Sequence, residues 1–328
     1  MRRWKRCLAA LLAALLLAGC TGPAQSGSQS DSVSETASQS DGAQPAVRFT
    51  DAMGYEVALE SWDRVVSLYG SFAEAWTLAG GQLVGATSDA VEERGLDLGE
   101  EVAIIGSVKT PALEEILATD PDFVMLSADI AAQTELHDAL TAAGVPHAYY
   151  RVDTFEDYRA MMEQFCGLTG RADLYEQNAA EVDRRIETMR ALAAGEEQPT
   201  VLLLRAYATG VKAKGADQLA GAILADLGAK NLVDQYQSLL EDLSLEEIIA
   251  ADPDVILVVT MGDEQEALDY LSTNFETNPA WAGLTAVQNG RFVVLPKELF
   301  HYKPNARWGE SYAYLAKILY PDLAGQLD

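Results

Sequence analysis

Basic side chains and tyrosines gather in loops that contain no acidic residue, although the chain as a whole is acidic. One such window covers residues 205–214 and a second covers residues 299–308. Guanidinium groups bind carboxylates through paired N–H donors, and aromatic faces cover large flat or chelated ligands. The pattern predicts a site for an anionic, partly aromatic small molecule. Its candidate contacts are Tyr69, Arg205, Tyr207, Lys212, Tyr302, Lys303 and Arg307.

A structural role remains open for several of these side chains. Lys212 and the nearby Lys214 can equally be solvated loop charges, and Tyr69 can pack between structural elements without touching a ligand. Arg205 and Arg307 are the stronger candidates, because a guanidinium group also stacks on rings.

The sequence lacks the common signatures of catalytic and metal sites. It has no Gly-rich phosphate loop, no Gly-x-Ser-x-Gly turn and no His-Glu-x-x-His helix. Of its three histidines, His137, His147 and His301, no two stand at the spacing of metal ligands. A lone histidine beside Tyr302, as His301 is, more often serves as a surface or hydrogen-bonding residue. We therefore predict no enzyme activity, no metal site and no cofactor.

The charge balance excludes several kinds of partner. The 328-residue chain has 23 basic and 50 acidic side chains and a formal net charge of −27. Such an acidic surface disfavours nucleic acid and anionic lipid headgroups, and it favours solubility. We expect a monomer that binds no nucleic acid.

The N-terminus predicts where the protein works. A basic segment with Arg2, Arg3, Lys5 and Arg6 precedes an apolar run over residues 8–18, and small residues lead to Cys20. The run is shorter than the ~20 residues that span a bilayer. This pattern is typical of a lipoprotein signal peptide over residues 1–20, with Cys20 as the lipidated residue. Residues 21–45, rich in Ser, Gln and Gly, are expected to be a flexible tether. We expect a lipid-anchored protein on the extracytoplasmic face of the cell membrane.

Beyond the tether, short apolar strands alternate with helices, which predicts an α/β fold with mostly parallel sheets. Residues 113–124 (LEEILATDPDFV) and 245–256 (LEEIIAADPDVI) are identical at eight of twelve positions. A helix–strand unit used twice indicates two similar lobes. We predict an N-terminal lobe over 46–152, a long connecting helix over 153–195 that breaks near Gly167 and Gly170, and a C-terminal lobe over 196–328. Ligands of open α/β sheets bind where the parallel strands end, here between the lobes.

These features resemble the ferric-siderophore/heme/cobalamin class of substrate-binding proteins of ABC importers. The resemblance rests on the opening strand Arg64-Val65-Val66-Ser67-Leu68, the helix containing Glu74, the repeated LEEI-DPD segments and the connecting helix. It implies that Glu114 and Glu246, one from each repeat, dock on the membrane permease. Family members often have Ser-Pro after the first strand, where this chain has Tyr69-Gly70.

The resemblance and the residues together predict a solute-binding protein that delivers an iron chelate, either a ferric siderophore or heme, to an ABC permease. If the ligand is heme, Tyr69 and His301 are the candidate axial ligands of its iron. Cobalamin remains an alternative ligand for the same fold. A surface enzyme or an adhesin lipoprotein remains an alternative from another class.

Overall fold

A computed structural model describes residues 47–327 of the chain. The predicted signal peptide, with Cys20, and the whole of the predicted tether lie outside these residues. Among residues 47–327, no helix combines the length and the apolar character that crossing a membrane requires.

The N-terminal lobe is built on a five-stranded sheet in which every pairing is parallel, in the order β5-β4-β3-β8-β9. Two small antiparallel hairpins, β1-β2 and β6-β7, flank it. The strands of this lobe are β1 (Val47–Thr50), β2 (Glu56–Leu59), β3 (Val65–Ser67), β4 (Leu83–Ala86), β5 (Ala103–Ile104), β6 (Gly106–Ser107), β7 (Thr110–Pro111), β8 (Phe123–Ser127) and β9 (His147–Tyr150). Its helices are α1 (Gly70–Leu78), α2 (Asp89–Glu92), α3 (Leu113–Ala118), α4 (Ala131–Thr134) and α5 (His137–Ala142).

Two helical stretches connect the lobes. The first, α6 (Phe155–Thr169), begins at a capping box between Thr154 and Asp157 and ends at Gly170, which has a left-handed conformation with φ of 70°. The second runs through α7 (Ala172–Tyr175), a π-helical turn and α8 (Glu181–Ala193). The chain thus breaks at Gly170, as predicted, whereas Gly167 lies inside α6.

The C-terminal lobe repeats the architecture. Its sheet has the order β11-β10-β13-β14, with β12 also paired to β10, and only the edge strand β11 is antiparallel. The strands are β10 (Thr200–Tyr207), β11 (Gly210–Ala213), β12 (Lys230–Asn231), β13 (Val255–Thr260) and β14 (Phe292–Val294). The helices are α9 (Leu219–Asp226), α10 (Leu232–Gln235), α11 (Ser238–Glu241), α12 (Leu245–Ala251), α13 (Glu264–Leu271), α14 (Thr285–Gln288), α15 (Lys297–Phe300) and α16 (Trp308–Leu319).

Both sheets are buried on both faces, and one face of each belongs to a shared core. Along β10, Val201 and Leu203 pack into the shared core, and Leu202 and Leu204 pack into a core of the C-terminal lobe alone. The strands of the N-terminal lobe alternate in the same way. Parallel strands with two covered faces need such continuous apolar runs. The shared core includes residues of α1, α6, α8 and α16, so it couples the two lobes.

The repeated segments occupy equivalent positions in separate sheets. In each copy the helix, α3 or α12, leads through the DPD turn into a central strand, β8 or β13. The first aspartate of each turn, Asp120 or Asp252, has a positive φ of 49° or 43°. The second anchors the start of the neighbouring strand. Asp122 accepts from the Arg64 amide at 2.9 Å, and Asp254 accepts from the Thr200 amide at 2.8 Å. The repeat therefore encodes the same turn twice, and the predicted fold of two similar lobes is confirmed.

Candidate functional site

Strand β3 of the N-terminal lobe brings Tyr69 to the edge where the parallel strands end. Tyr69 is half-buried against Phe72, with ring centroids 4.9 Å apart. Burial, together with the nearby Asp89 and Glu93 carboxylates, raises the pKa of its phenol to about 12. Tyr69 is therefore a neutral hydrogen-bonding group at any physiological pH.

The residue after Tyr69 must be glycine in this structure. The Gly70 amide donates to the buried Asp89 carboxylate at 2.7 Å. A Cβ at Gly70 would lie 2.7 Å from the backbone nitrogen of Ala90. Proline at this position would lose the N–H and collide with α2. The close approach of α2 thus explains why this chain has glycine, and not the proline of the Ser-Pro pattern, at position 70.

A buried glutamine fixes the hairpin that carries Lys109. The Gln133 amide group donates to the carbonyl of Leu68 at 2.6 Å and to that of Val108 at 2.9 Å. It therefore ties the β6-β7 turn to the end of β3, beside Tyr69. Lys109 is exposed at this turn.

The central strand of the C-terminal lobe carries Arg205 and Tyr207 at its end. Arg205 is half-buried, and its guanidinium donates to the Gln218 side chain at the start of α9. The Arg205 Nε is buried and has no hydrogen-bond partner within the described residues. Lys212 pairs with Arg205 across the strands but is exposed, and Tyr207 lies half-buried at the β10-β11 turn.

The segment after β14 adds Lys297, His301 and Tyr302. Lys297 donates to the carbonyl of Gly262 at 2.5 Å. His301 follows α15, with its ring 5.0 Å from that of Tyr302. Burial raises the pKa of Tyr302, and so does the Glu93 carboxylate of the N-terminal lobe. Tyr302 and Glu93 therefore interact electrostatically across the two lobes.

Four cations from both lobes influence His301, and we call them the cationic cluster: Lys109, Arg205, Lys297 and Lys303. Of these, only Lys303 forms an ion pair within residues 47–327, with Asp153 at 2.9 Å. Within residues 47–327 the other three form no ion pair, although the Glu93 carboxylate interacts electrostatically with Lys297, in a chain whose acidic residues outnumber its basic ones two to one. Burial and these cations lower the pKa of His301 to about 4. The site is thus an electropositive patch between the lobes.

Asn305 holds the lobes together beside this patch. Its side chain is fully buried and donates to the Ser71 carbonyl at 2.8 Å and to the Glu74 carboxylate at 2.6 Å. Arg94 binds the same carboxylate, with its Nε at 2.9 Å. The two lobes are therefore in direct contact beside the cationic cluster, through the hydrogen bonds of Asn305.

The structure brings some of the predicted contact residues together and separates others. Arg205 and Lys303 act on the same imidazole, and Tyr69 and Tyr302 both lie within the influence of Glu93. Arg307 is instead exposed and paired with Glu310 at 2.8 Å, and Lys212 lines a separate groove beside α11. Sequence reasoning missed Lys109 and Lys297. The ligand contacts themselves remain predictions.

The two proposed docking residues occupy equivalent places. Glu114 and Glu246 lie in the first turns of α3 and α12, and both are exposed. Neither forms a hydrogen bond or ion pair with the rest of the described chain. Ser244 caps α12 through the Glu247 amide at 3.3 Å, but the Glu247 carboxylate binds Ser238 instead of completing a capping box.

Two pockets of several hundred cubic ångströms lie away from the cationic cluster. One, of about 420 Å³, is lined by Tyr55, His137 and His147, and another, of about 540 Å³, lies beside Asn231. The Nδ1 of His137 is 2.9 Å from the Nε2 of His147, a contact between residues ten positions apart that their sequence spacing did not indicate. No three His, Cys, Asp or Glu side chains of the described chain could jointly hold a metal ion. Neither pocket concentrates unpaired charge, and we place the site at the cationic cluster.

Comparison with known proteins identifies the family. Residues 65–299 match the periplasmic binding protein family. The chain is 25% identical over 285 residues to the Fe(3+)-citrate-binding protein YfmC of Bacillus subtilis (strain 168), which covers 86% of this chain and 85% of that protein.

Solved structures share the fold. A periplasmic binding protein from Veillonella parvula has a TM-score of 0.68 and 19% identity, covering 86% of this chain and 93% of that one. Staphylococcus aureus SirA, complexed with staphyloferrin B, has a TM-score of 0.62 and 22% identity, covering 84% and 98%. The family is one of binding proteins, which confirms the prediction that the chain is not an enzyme. The chain belongs to the periplasmic binding protein family.

Proposed function

We propose that this protein is lipid-anchored through Cys20 on the outer face of the cell membrane. There it captures an anionic ferric chelate between its lobes and delivers it to an ABC permease. The observation that carries the proposal is the cationic cluster, in which Lys109, Arg205 and Lys297 form no ion pair with any carboxylate of residues 47–327.

Uncompensated cations in an acidic protein are costly unless a ligand neutralises them. Two like charges about 5 Å apart repel by roughly 3 kcal/mol at an effective dielectric constant of about 20. An anion with several carboxylates removes this repulsion and gains charge-assisted hydrogen bonds. The buried, unpartnered Nε of Arg205 is one donor that such a ligand would satisfy.

The relatives support iron as the cargo. The name of the Bacillus subtilis relative specifies ferric citrate, and the SirA structure contains staphyloferrin B. The cationic cluster favours a chelate with free carboxylates over cobalamin, which needs fewer cations.

The docking residues support delivery to a permease. Glu114 and Glu246 are exposed, unpaired and equivalent in the two lobes. Two carboxylates on two coupled lobes would fix one orientation on a basic partner and steer the encounter.

Native mass spectrometry against a panel of ligands tests the proposal. The panel contains ferric citrate, a ferric catecholate, a ferric hydroxamate, heme and cobalamin. We expect one-to-one retention of an anionic ferric chelate, lost when Lys109, Arg205 and Lys297 are changed together to Gln. The matched control changes Arg48, Arg185 and Lys230 together to Gln, three exposed cations outside the cluster. Retention of cobalamin alone would refute the iron assignment.

A further inference from the structure

His301 occupies an unusual position for a side chain that can be charged. Its backbone amide donates to the Lys297 carbonyl at 2.8 Å, which holds the residue in the turn after α15. The Nδ1 atom is buried, yet it has no hydrogen-bond partner within residues 47–327. Buried polar atoms normally have partners, so this nitrogen is available to a group that the chain itself does not supply.

The charged groups that bear most strongly on His301 are all cations, and they come from separate elements. Lys109 belongs to the β6-β7 turn of the N-terminal lobe, Arg205 to β10, Lys297 to α15 and Lys303 to the loop that follows. Together with burial, they lower the pKa of the imidazole to about 4 and so favour its neutral form. The ring is therefore the one member of the patch that carries no charge before the ligand arrives.

An anionic ligand favours the charged form of the His301 ring over the neutral form. Carboxylates that neutralise the surrounding cations place negative charge beside the imidazole, and opposite charge favours the protonated form. A carboxylate oxygen that reaches Nδ1 requires a proton on that nitrogen, which a neutral ring provides when its single proton is on Nδ1. The negative charge of the ligand, and not the hydrogen bond alone, therefore favours the doubly protonated imidazolium.

We propose that His301 takes up one proton from solvent when an anionic chelate fills the cleft, so that capture of the ligand is coupled to proton uptake. This rests on the proposed function. The imidazole becomes an imidazolium, one positive charge is added to the site, and the chelate gains a fifth cationic partner. Nothing is oxidised or reduced.

The coupling predicts how affinity depends on pH. Each proton taken up strengthens binding by up to about tenfold for every pH unit of acidification, within the range where the free ring is neutral and the bound ring is charged. The protein would therefore capture its ligand more tightly in acidic surroundings than its fixed charges alone would allow.

Isothermal titration calorimetry measures the uptake directly. Ferric citrate, or the anionic chelate of the panel that binds if ferric citrate does not, is titrated at pH 5.5 in two buffers of different ionisation enthalpy. The difference in heat gives the number of protons taken up. We expect the wild-type protein to take up close to one proton more than His301→Gln. Protonation of the chelate itself contributes equally to both proteins and cancels.

Two further measurements keep the result decisive. His137→Gln, whose ring lies in the other pocket, should match the wild-type uptake. If His301→Gln does not fold, the wild-type imidazole can be titrated by NMR with the gallium(III) chelate, which should show the ring charging on binding.

Equal proton uptake by wild type and His301→Gln, or an imidazole that stays neutral in the complex, would overturn the inference and leave the proposed function standing. If no anionic ferric chelate of the panel binds the wild-type protein, the proposed function fails and the inference fails with it.

Discussion

Replacing Asn305 by alanine should destabilise the protein strongly, because this side chain bridges the lobes from a strained backbone position. Asn305 donates two hydrogen bonds, one to the Ser71 carbonyl and one to the Glu74 carboxylate. A neutral bond is worth about 1 kcal/mol and one to a charged group about 1.5–3 kcal/mol. The φ of Asn305 is 51°, where alanine is disfavoured by about 1 kcal/mol or more. The free energy of unfolding should fall by roughly 3–5 kcal/mol.

Asn305→Gly is the matched variant. Glycine removes the same two hydrogen bonds but adopts a positive φ without cost, so it should be about 1 kcal/mol more stable than Asn305→Ala. Urea unfolding, followed by tryptophan fluorescence, measures both variants against the wild type. If Asn305→Ala lies within 1 kcal/mol of the wild type, or glycine is the more damaging change, the bridge does not contribute as argued.

Three further predictions address the site and its surroundings. Burial and cations lower the pKa of His301 to about 4, below the ordinary value near 6.5. As the pH falls, the unfolded chain therefore binds the proton of this side chain at a higher pH than the folded chain does. The stability advantage of wild type over His301→Gln should therefore shrink by up to about 3 kcal/mol as the pH falls from about 6.5 to 4, as measured by urea unfolding at each pH; a constant difference would contradict this. Gly70→Ala should destabilise the protein by about 1–3 kcal/mol through contact with the α2 backbone, whereas helix propensity alone predicts a small stabilisation. The sign of the change in the free energy of unfolding therefore distinguishes the two effects. Charge reversal at Glu114 and Glu246 together should abolish uptake in cells without changing ligand affinity. The control Glu163→Arg on α6 should leave both uptake and affinity unchanged. A loss of affinity in the double variant would mean that Glu114 and Glu246 lie in the ligand site.

The fold could be predicted because its signals are local and repeated. Alternating apolar strands and helices indicate parallel sheets, and the two DPD turns specify the same geometry in each lobe. The left-handed Asp120 and Asp252 and the anchoring Asp122 and Asp254 are equivalent, pair by pair. A twelve-residue segment was therefore enough to indicate two lobes.

The site could be predicted only in part, because charge was judged in short sequence windows. Lys297 escaped notice because the acidic Glu298 follows it in sequence. Lys297 is nevertheless one of the cations that bear on His301, whereas Glu298 is not among the groups that do so most strongly. Lys109 comes to the cleft through tertiary contacts of its hairpin, among them the Gln133 side chain, which bonds both Val108 in the β6-β7 turn and Leu68 after β3.

Ion pairs explain where individual site predictions are weaker. Asp153 is 150 residues from Lys303 in sequence, and no window could have revealed their contact. The pairing of Arg307 with Glu310, in contrast, follows from the i,i+3 spacing of a helix and was visible in the sequence.

The most direct test of the central claim is the position of the iron atom in a crystal of the protein grown with ferric citrate. Anomalous diffraction at the iron edge should give one strong peak between the lobes, bordered by the side chains of Lys109, Arg205 and His301. A peak outside the cleft, such as in the pocket beside His137, would contradict the account. So would a saturated complex in which these three side chains make no contact with the chelate.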